Sequence, residues 1–115
     1  VTGVTEQEVQ QTQEQHPELD CRQLDVTSDS QVSQCLANLE ELDVLINCAG
    51  VILRDNQEHT PEGFQSAIDV NLNGTMRMCY AAKSLLQHSY GCVINTASML
   101  SFFGSIYSST TLYSR

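Results

Sequence analysis

Four polar side chains stand at places in the chain where ligand chemistry is commonly found: Asp25, Asn47, Asn71 and Ser98. Three of them come where a predicted β-strand ends, and Asn71 interrupts a predicted helix. Taken singly, such residues have ordinary roles as turn caps, loop ties and partners of helix kinks. In open α/β sheets, however, ligands bind outside the carboxyl ends of the strands. Their shared position therefore favours one ligand site to which all four contribute.

The strand that organises this predicted site lies in residues 42–50. Val44, Leu45 and Ile46 form an apolar, partly β-branched run that is too short for a buried helix. This is typical of a parallel strand covered on both faces. Small residues follow as far as Gly50, and such a loop lets another molecule approach the backbone closely. An ordinary buried strand that ends in a glycine turn fits the same residues.

The residues before this strand predict two strand–helix units. Short strands are predicted in residues 1–4 and 21–25. Capping-box patterns, in which the side chains of the first turn satisfy its free backbone groups, open helices at residues 5–8 and 28–31. The first helix is polar and ends at Pro17, whereas the second has an apolar stripe and ends near Glu41.

A long helix and a further strand follow. Thr60 and Pro61 predict its start, and its apolar stripe begins at Phe64 and continues to residue 86. Three poor helix formers lie between residues 71 and 74, which predicts a kink or local unwinding near Asn71. Gly91 is expected to close the helix, and residues 92–96 predict another short buried strand. Alternating strands and helices indicate an α/β protein with a doubly wound parallel sheet.

Composition and charge argue against several classes of protein. The 115 residues are 41% hydrophobic and 17% charged, which fits one globular domain and not a disordered chain. The net charge of -9 repels phosphate backbones and anionic bilayers, so neither nucleic acid nor a membrane is expected as a partner. The five cysteines are odd in number and lack a Cys-x-x-Cys spacing. They predict neither a metal site nor a disulfide framework, and they favour the reducing cytoplasm.

Four stretches resemble the short-chain dehydrogenase/reductase family. They read Leu24-Asp25-Val26-Thr27, Asn47-Cys48-Ala49-Gly50, Asp69-Val70-Asn71-Leu72 and Gly91-Cys92-Val93-Ile94-Asn95-Thr96-Ala97-Ser98. Their order and separations fit the family across nearly the whole chain, although the family usually has a second asparagine where Cys48 stands. The resemblance implies a Rossmann-like fold and hydride transfer between NAD or NADP and an alcohol or ketone, with a small-molecule substrate.

The resemblance also implies roles for individual residues. The implied cofactor-binding residues are Asp25, Val26, Asn47, Cys48, Ala49 and Gly50, and Asp25 is expected beside the adenine. The implied catalytic residues are Ser98, Tyr113 and Asn71. In these roles Ser98 hydrogen-bonds the substrate oxygen, Asn71 holds a water of the proton relay, and Tyr113 is the general acid and base.

The tyrosine assignment depends on a lysine. Free tyrosine has a pKa of about 10, and family members lower it with a lysine four residues later. Tyr107 has Thr111 at that position. Tyr113-Ser114-Arg115 resembles the opening of the Tyr-Ser-x-Ser-Lys motif, which favours Tyr113 over Tyr107. The alternative that both are ordinary loop aromatics stays open.

The glycine-rich loop that binds pyrophosphate in the family is not seen, because Gly3 stands alone. We therefore expect residues 1–115 to be a central fragment of one NAD(P)-binding domain. Its parallel sheet would be incomplete, lacking the first strand of the order 3-2-1-4-5-6. Because strand edges facing that gap would have unpaired backbone groups, the isolated chain is expected to be poorly folded and inactive.

Two other functions fit the residues. The chain could belong to a non-catalytic nucleotide-binding or scaffolding relative, or be an inactive partial coding fragment, because the lysine is missing and Cys48 replaces an asparagine. For the enzyme, the substrate classes left open are sugar acids, polyols and 3-oxoacyl thioesters. The helix in residues 64–86 resembles the one through which family members form dimers and tetramers, so a homo-oligomer is expected.

Overall fold

A computed structural model describes residues 1–99 and residue 102. Strands and helices alternate along this part of the chain, as the sequence predicts. The strands are β1 (Thr2–Gly3), β2 (Arg22–Gln23), β3 (Val44–Asn47) and β4 (Cys92–Asn95). The α-helices are α1 (Glu6–Gln15), α2 (Asp29–Leu36), α3 (Pro61–Ile68) and α4 (Thr75–Ser89). A 3-10 turn (Gln57–His59) precedes α3, and a π-helix (Asp69–Gly74) joins α3 to α4.

The strands form two separate parallel pairs. β1 pairs with β2, and β3 pairs with β4 with Val44 opposite Cys92 and Asn47 opposite Asn95. No strand within the described residues joins one pair to the other. Parallel strands connected through helices confirm the α/β class, and the missing connection confirms that the sheet is incomplete in this part of the chain.

The prediction that β3 and β4 are buried on both faces is wrong for the described residues. Leu45 and Asn47 are buried, but Val44 and Ile46 are 43% and 57% exposed. All of β4 is exposed as well. The reason is that α4 covers one face of the pair, whereas no described helix covers the other. The uninterrupted apolar run is therefore suited to a second covering layer that these residues do not supply.

The hydrophobic core lies between α2, α4 and the inner face of the strands. Its buried members are Leu24, Val32, Leu45, Met78, Ala82 and Leu86. The predicted stripes supply Val32 and Leu86. The stripe predicted for the long helix is wrong at Leu72 and Met76, which are 48% and 58% exposed, while Met78 and Ala82 are buried in their place. This core fixes α4 across β3 and so determines where the π-helix before α4 lies. Among the described residues, no helix combines the length and apolar character needed to cross a bilayer.

The N-termini of α1 and α2 have the predicted capping residues. The Thr5 hydroxyl accepts from the backbone of Glu8, and the Glu8 carboxylate accepts from the backbone of Thr5, which confirms the first capping box. The second box is only half formed. Ser28 Oγ accepts from Gln31 N, but Gln31 Oε1 accepts from the backbone of Asp25 at 2.8 Å instead of from Ser28. This amide thereby ties α2 to the end of β2.

Two helices end differently from the prediction. α2 ends at Leu36 and not near Glu41. The chain tightens there, because the backbone N–H groups of Ala37 and Leu39 each donate to the carbonyl three residues earlier. α4 ends at Ser89, and the left-handed position after it is taken by Tyr90 at a φ of 56°. Gly91 serves another purpose, because a Cβ there would lie 2.4 Å from the Leu42 carbonyl oxygen.

Candidate active site

The carboxyl ends of β3 and β4 are held side by side by a pair of asparagines. Asn47 is buried, and its Nδ2 donates to Asn95 Oδ1 at 2.9 Å. The backbone continues the pairing one residue further, with Thr96 N donating to Asn47 O at 3.0 Å. Because of this register, residues 48–50 and residues 97–98 leave the sheet next to each other. Sequence analysis missed Asn95 as a site residue. The available signal was that Asn47 and Asn95 each directly follow the apolar run of a predicted strand.

Two thiols flank this asparagine pair. Asn47 Nδ2 lies 3.4 Å from Cys79 Sγ on the side of α4. The side chain of Cys48, the next residue, lies on the opposite face. Cys48 is exposed, and its Sγ accepts from Thr96 Oγ1 at 3.2 Å. Sulfur is a weak acceptor, so Cys48 replaces a usual asparagine with a group that forms weaker polar contacts. Ala49 and Gly50 follow, also exposed.

Asn71 lies in the π-helix and reaches the chain just beyond Gly50. Val51 N donates to Asn71 Oδ1 at 2.7 Å, and Asn71 Nδ2 donates to Val51 O at 3.0 Å. Asn71 as a whole is 6% exposed. The predicted interruption of the helix is confirmed, because the wider π-turn spans the three poor helix formers. The main-chain carbonyl of Asn71 accepts from the Thr75 hydroxyl at 3.2 Å.

Asp25 follows β2 and organises the turn there. Its Oδ1 accepts from the Thr27 backbone at 2.9 Å and from the Thr27 hydroxyl at 2.8 Å. This is the turn-capping role that the residue type predicts. The next residue, Val26, lies against the π-helix so closely that a Cβ on Gly74 would be 2.5 Å from its Cγ2. The turn after β2 is thus in contact with the element that carries Asn71.

A charged cluster joins α4 to the π-helix and to α2. Arg77 Nη2 lies 2.8 Å from Asp69 Oδ1, and Arg77 Nε lies 3.1 Å from Asp29 Oδ1. The hydrogen bond from Arg77, followed by one from Asn73, lowers the pKa of Asp69, and the bond to Asp69 raises the pKa of Arg77. Sequence analysis missed Arg77. The π-turn changes which residues of the long helix share a face, so helical periodicity gave no signal for the pair.

The described contacts link several of the segments that carry the predicted site residues. The Asn47 loop lies beside the exit of β4, Asn71 binds the end of that loop, and the Asp25 turn packs on the π-helix. Ser98 is half-buried three residues after β4. Tyr113 and Tyr107 lie outside the described residues, and the catalytic and binding roles of all these residues stay predictions. In the part of the chain that the structure describes, no three His, Cys, Asp or Glu side chains form a group that could hold a metal ion.

Comparison with known proteins gives one family. Residues 2–114 match the family model described as short chain dehydrogenase. A 2-dehydro-3-deoxy-D-gluconate 5-dehydrogenase of Bacillus subtilis is 36% identical over 88 residues, which are 72% of this chain and 35% of that protein. Human 3-hydroxyacyl-CoA dehydrogenase type-2 is 34% identical over 100 residues, or 71% of this chain and 38% of that protein. An uncharacterized oxidoreductase of Staphylococcus saprophyticus is 34% identical over 97 residues, covering 79% and 41%. The matches thus span well under half of the length of these relatives.

Proposed function

Because the chain belongs to the short-chain dehydrogenase family, we propose that the protein carrying it transfers a hydride between a nicotinamide dinucleotide and an alcohol or ketone. The observation that supports this most is the set of contacts along the carboxyl edge of β3 and β4. It runs from the asparagine pair at the strand ends to the two bonds between Asn71 and Val51. Ligands of parallel sheets bind at such an edge.

The residues of this edge suit a dinucleotide, either NAD or NADP. Ala49 and Gly50 are exposed and small, so a cofactor can approach their backbone closely. Asp25 has a fixed orientation because its Oδ1 is held by Thr27. The proposed binding residues are Asp25, Val26, Asn47, Cys48, Ala49 and Gly50. When bound, the nicotinamide supplies or accepts the hydride.

Three residues carry the proposed proton chemistry. Ser98 hydrogen-bonds the substrate oxygen, and Tyr113 transfers the hydroxyl proton as general acid or base. Asn71 supports the proton path from the π-helix, where its side chain is already oriented by two bonds to Val51. This arrangement leaves the redox step to the cofactor and gives the protein the tasks of orientation and proton transfer.

The test is made in the full-length protein with Tyr113→Phe, which removes only the phenolic hydroxyl. Turnover should fall by at least about 100-fold, the size of a general acid or base effect, while dinucleotide affinity measured by fluorescence stays the same. Tyr90→Phe is the matched control, since Tyr90 is 97% exposed. Unchanged turnover in Tyr113→Phe would assign the proton to another group, such as Tyr107.

A non-catalytic nucleotide-binding relative is the second candidate, and the weak Cys48–Thr96 contact favours it. Dinucleotide binding without turnover of any tested substrate would support this candidate. The names of two relatives decide which substrates to test first. One of them is named for 2-dehydro-3-deoxy-D-gluconate and another for 3-hydroxyacyl-CoA. The panel therefore contains sugar acids and hydroxyacyl thioesters, with polyols added as a third class.

We also propose a homo-oligomer that forms through the helical segment of residues 64–86, in particular through α4. Its outer face carries large apolar side chains, of which Met76 is 58% and Tyr80 is 80% exposed. Sedimentation velocity of the full-length protein measures the oligomeric state, and a monomer at micromolar concentration would contradict the proposal.

The proposed compartment is the cytoplasm, because all five cysteines are free. Cell fractionation tests this assignment.

A further inference from the structure

Arg77 connects three segments of the chain through one guanidinium group. Besides its ion pairs with Asp69 and Asp29, its Nη1 donates to the Val26 carbonyl oxygen at 3.5 Å and to the Asp69 carbonyl oxygen at 3.4 Å. The side chain is 23% exposed. Guanidinium is a planar group with several donors in fixed directions, so it can hold several acceptors at once.

The acceptors belong to segments that are far apart in sequence. Val26 lies in the turn after β2 that also contains Asp25, and Asp69 begins the π-helix. The side chain of Val26 is held by the same helix, because it packs on the bare backbone of Gly74. Both the backbone and the side chain of Val26 are therefore fixed by residues 69–77, one by a donor and the other by packing.

We propose that Arg77 is a positioning residue for the dinucleotide, holding the turn that contains Asp25 and Val26 where the adenosine half of the cofactor binds. This inference rests on the proposed function, because it takes Asp25 as a cofactor-binding residue. It adds to that function a residue that does not touch the cofactor and that lies six residues after Asn71 in the chain.

The contacts indicate a positioning role in addition to a contribution to stability. The pair with Asp29, whose side chain is 88% exposed, contributes little to the free energy of unfolding, whereas the pair with Asp69, whose side chain is 34% exposed, adds to it. The contact with the Val26 carbonyl is different, because a backbone atom of the binding turn is held in place by it. Removing Arg77 should therefore weaken the binding of the adenosine half in addition to lowering stability, and it should leave the chemical step unchanged.

The experiment compares Arg77→Met, Arg77→Lys and Lys83→Met in the full-length protein. Methionine keeps the apolar stem and removes the donors, while Lys83 is an exposed basic residue of the same helix and serves as the control. Three quantities are measured: the inhibition constant of AMP, the KM of the dinucleotide, and kcat at saturating dinucleotide. Thermal unfolding is followed in parallel.

For Arg77→Met, the inhibition constant of AMP and the KM of the dinucleotide should rise together by about threefold, because the 3.5 Å contact with the Val26 carbonyl is a long and weak hydrogen bond. The value of kcat should stay within about twofold of wild type. Arg77→Lys should regain part of the affinity, because lysine restores the charge without the fork. If Arg77→Met does not fold, Arg77→Lys alone still tests the prediction, with a smaller loss of AMP affinity.

Two different results would overturn the inference. AMP affinity in Arg77→Met equal to that of Lys83→Met would show that the turn does not depend on Arg77. A fall in kcat as large as the loss of affinity would indicate a general structural role instead. Both results are distinct from a failure of the proposed function. In that case the wild-type protein would bind neither AMP nor dinucleotide, and the inference about Arg77 would fail with it.

Discussion

The side chain of Asn71 and the backbone of Val51 form a reciprocal pair of hydrogen bonds, at 2.7 Å and 3.0 Å. One amide donates and accepts at the same time, so it satisfies both polar groups of a single residue 20 positions earlier in the chain. Val51 follows the loop that leaves β3. The pair therefore fixes that loop to the π-helix, and it explains why an asparagine is suited to the point where the helix widens.

Replacing Asn71 with leucine should lower the free energy of unfolding by about 1–3 kcal/mol, because two hydrogen bonds to the half-buried backbone of Val51 would be lost. Leucine has nearly the same shape, so the effect reports on hydrogen bonding. Chemical denaturation of the full-length protein measures the change, and amide exchange of Val51 should become faster. Asn38→Leu makes the same chemical change at an exposed position and should have little effect. Equal stability of the two variants would contradict the prediction.

Sequence patterns predicted the elements of this site better than their contacts. The interruption at Asn71 follows from poor helix formers within a helical stripe, and the structure confirms it. The partner Val51 was not predicted, since any backbone offers the same donor and acceptor and the sequence does not mark which one is used. The pairing of Asn47 with Asn95 depends on strand register, and register is a long-range property.

For β3, the strand was predicted correctly but its burial was not. Its apolar run indicates a strand covered on both faces, yet Val44 and Ile46 are exposed among the described residues. Hydrophobic patterning records the environment for which a segment is suited, and it does not depend on whether the covering layer lies within the same stretch of chain. The pattern was therefore informative about the α/β fold, while the exposure of the strand depends on the neighbouring elements.

Gly74→Ala tests how closely the π-helix approaches the turn after β2. The new Cβ would meet Val26 Cγ2 at 2.5 Å and Val26 Cβ at 3.0 Å. Overpacking of this kind costs about 1–3 kcal/mol, which should exceed the gain of up to about 1 kcal/mol from replacing a helical glycine. We therefore expect Gly74→Ala to lower the free energy of unfolding.

A double-mutant cycle with Val26→Ala separates this contact from other effects. Truncating Val26 removes the methyl group that the new Cβ would strike. Gly74→Ala should therefore be less destabilising in the Val26→Ala background, with a coupling energy of about 1 kcal/mol or more. Additive effects of the two substitutions, measured by denaturation, would show that the two elements are not in close contact.

The pair of Asp69 and Arg77 should make stability depend on pH in the acid range. Hydrogen bonds from Arg77 Nη2 at 2.8 Å and Asn73 Nδ2 at 3.2 Å lower the pKa of Asp69 from its ordinary value of 3.8. Because the folded pKa lies below the unfolded one, this stabilisation is fully present above the unfolded value. It is lost as the pH falls through the folded pKa.

The free energy of unfolding of wild type should therefore exceed that of Asp69→Asn by a constant amount near neutral pH, and the difference should shrink below pH 3.8. Repeating the comparison in an Arg77→Met background removes the largest cause of the shift, so most of the pH dependence should disappear. The prediction fails if the difference between wild type and Asp69→Asn is the same at acid and neutral pH.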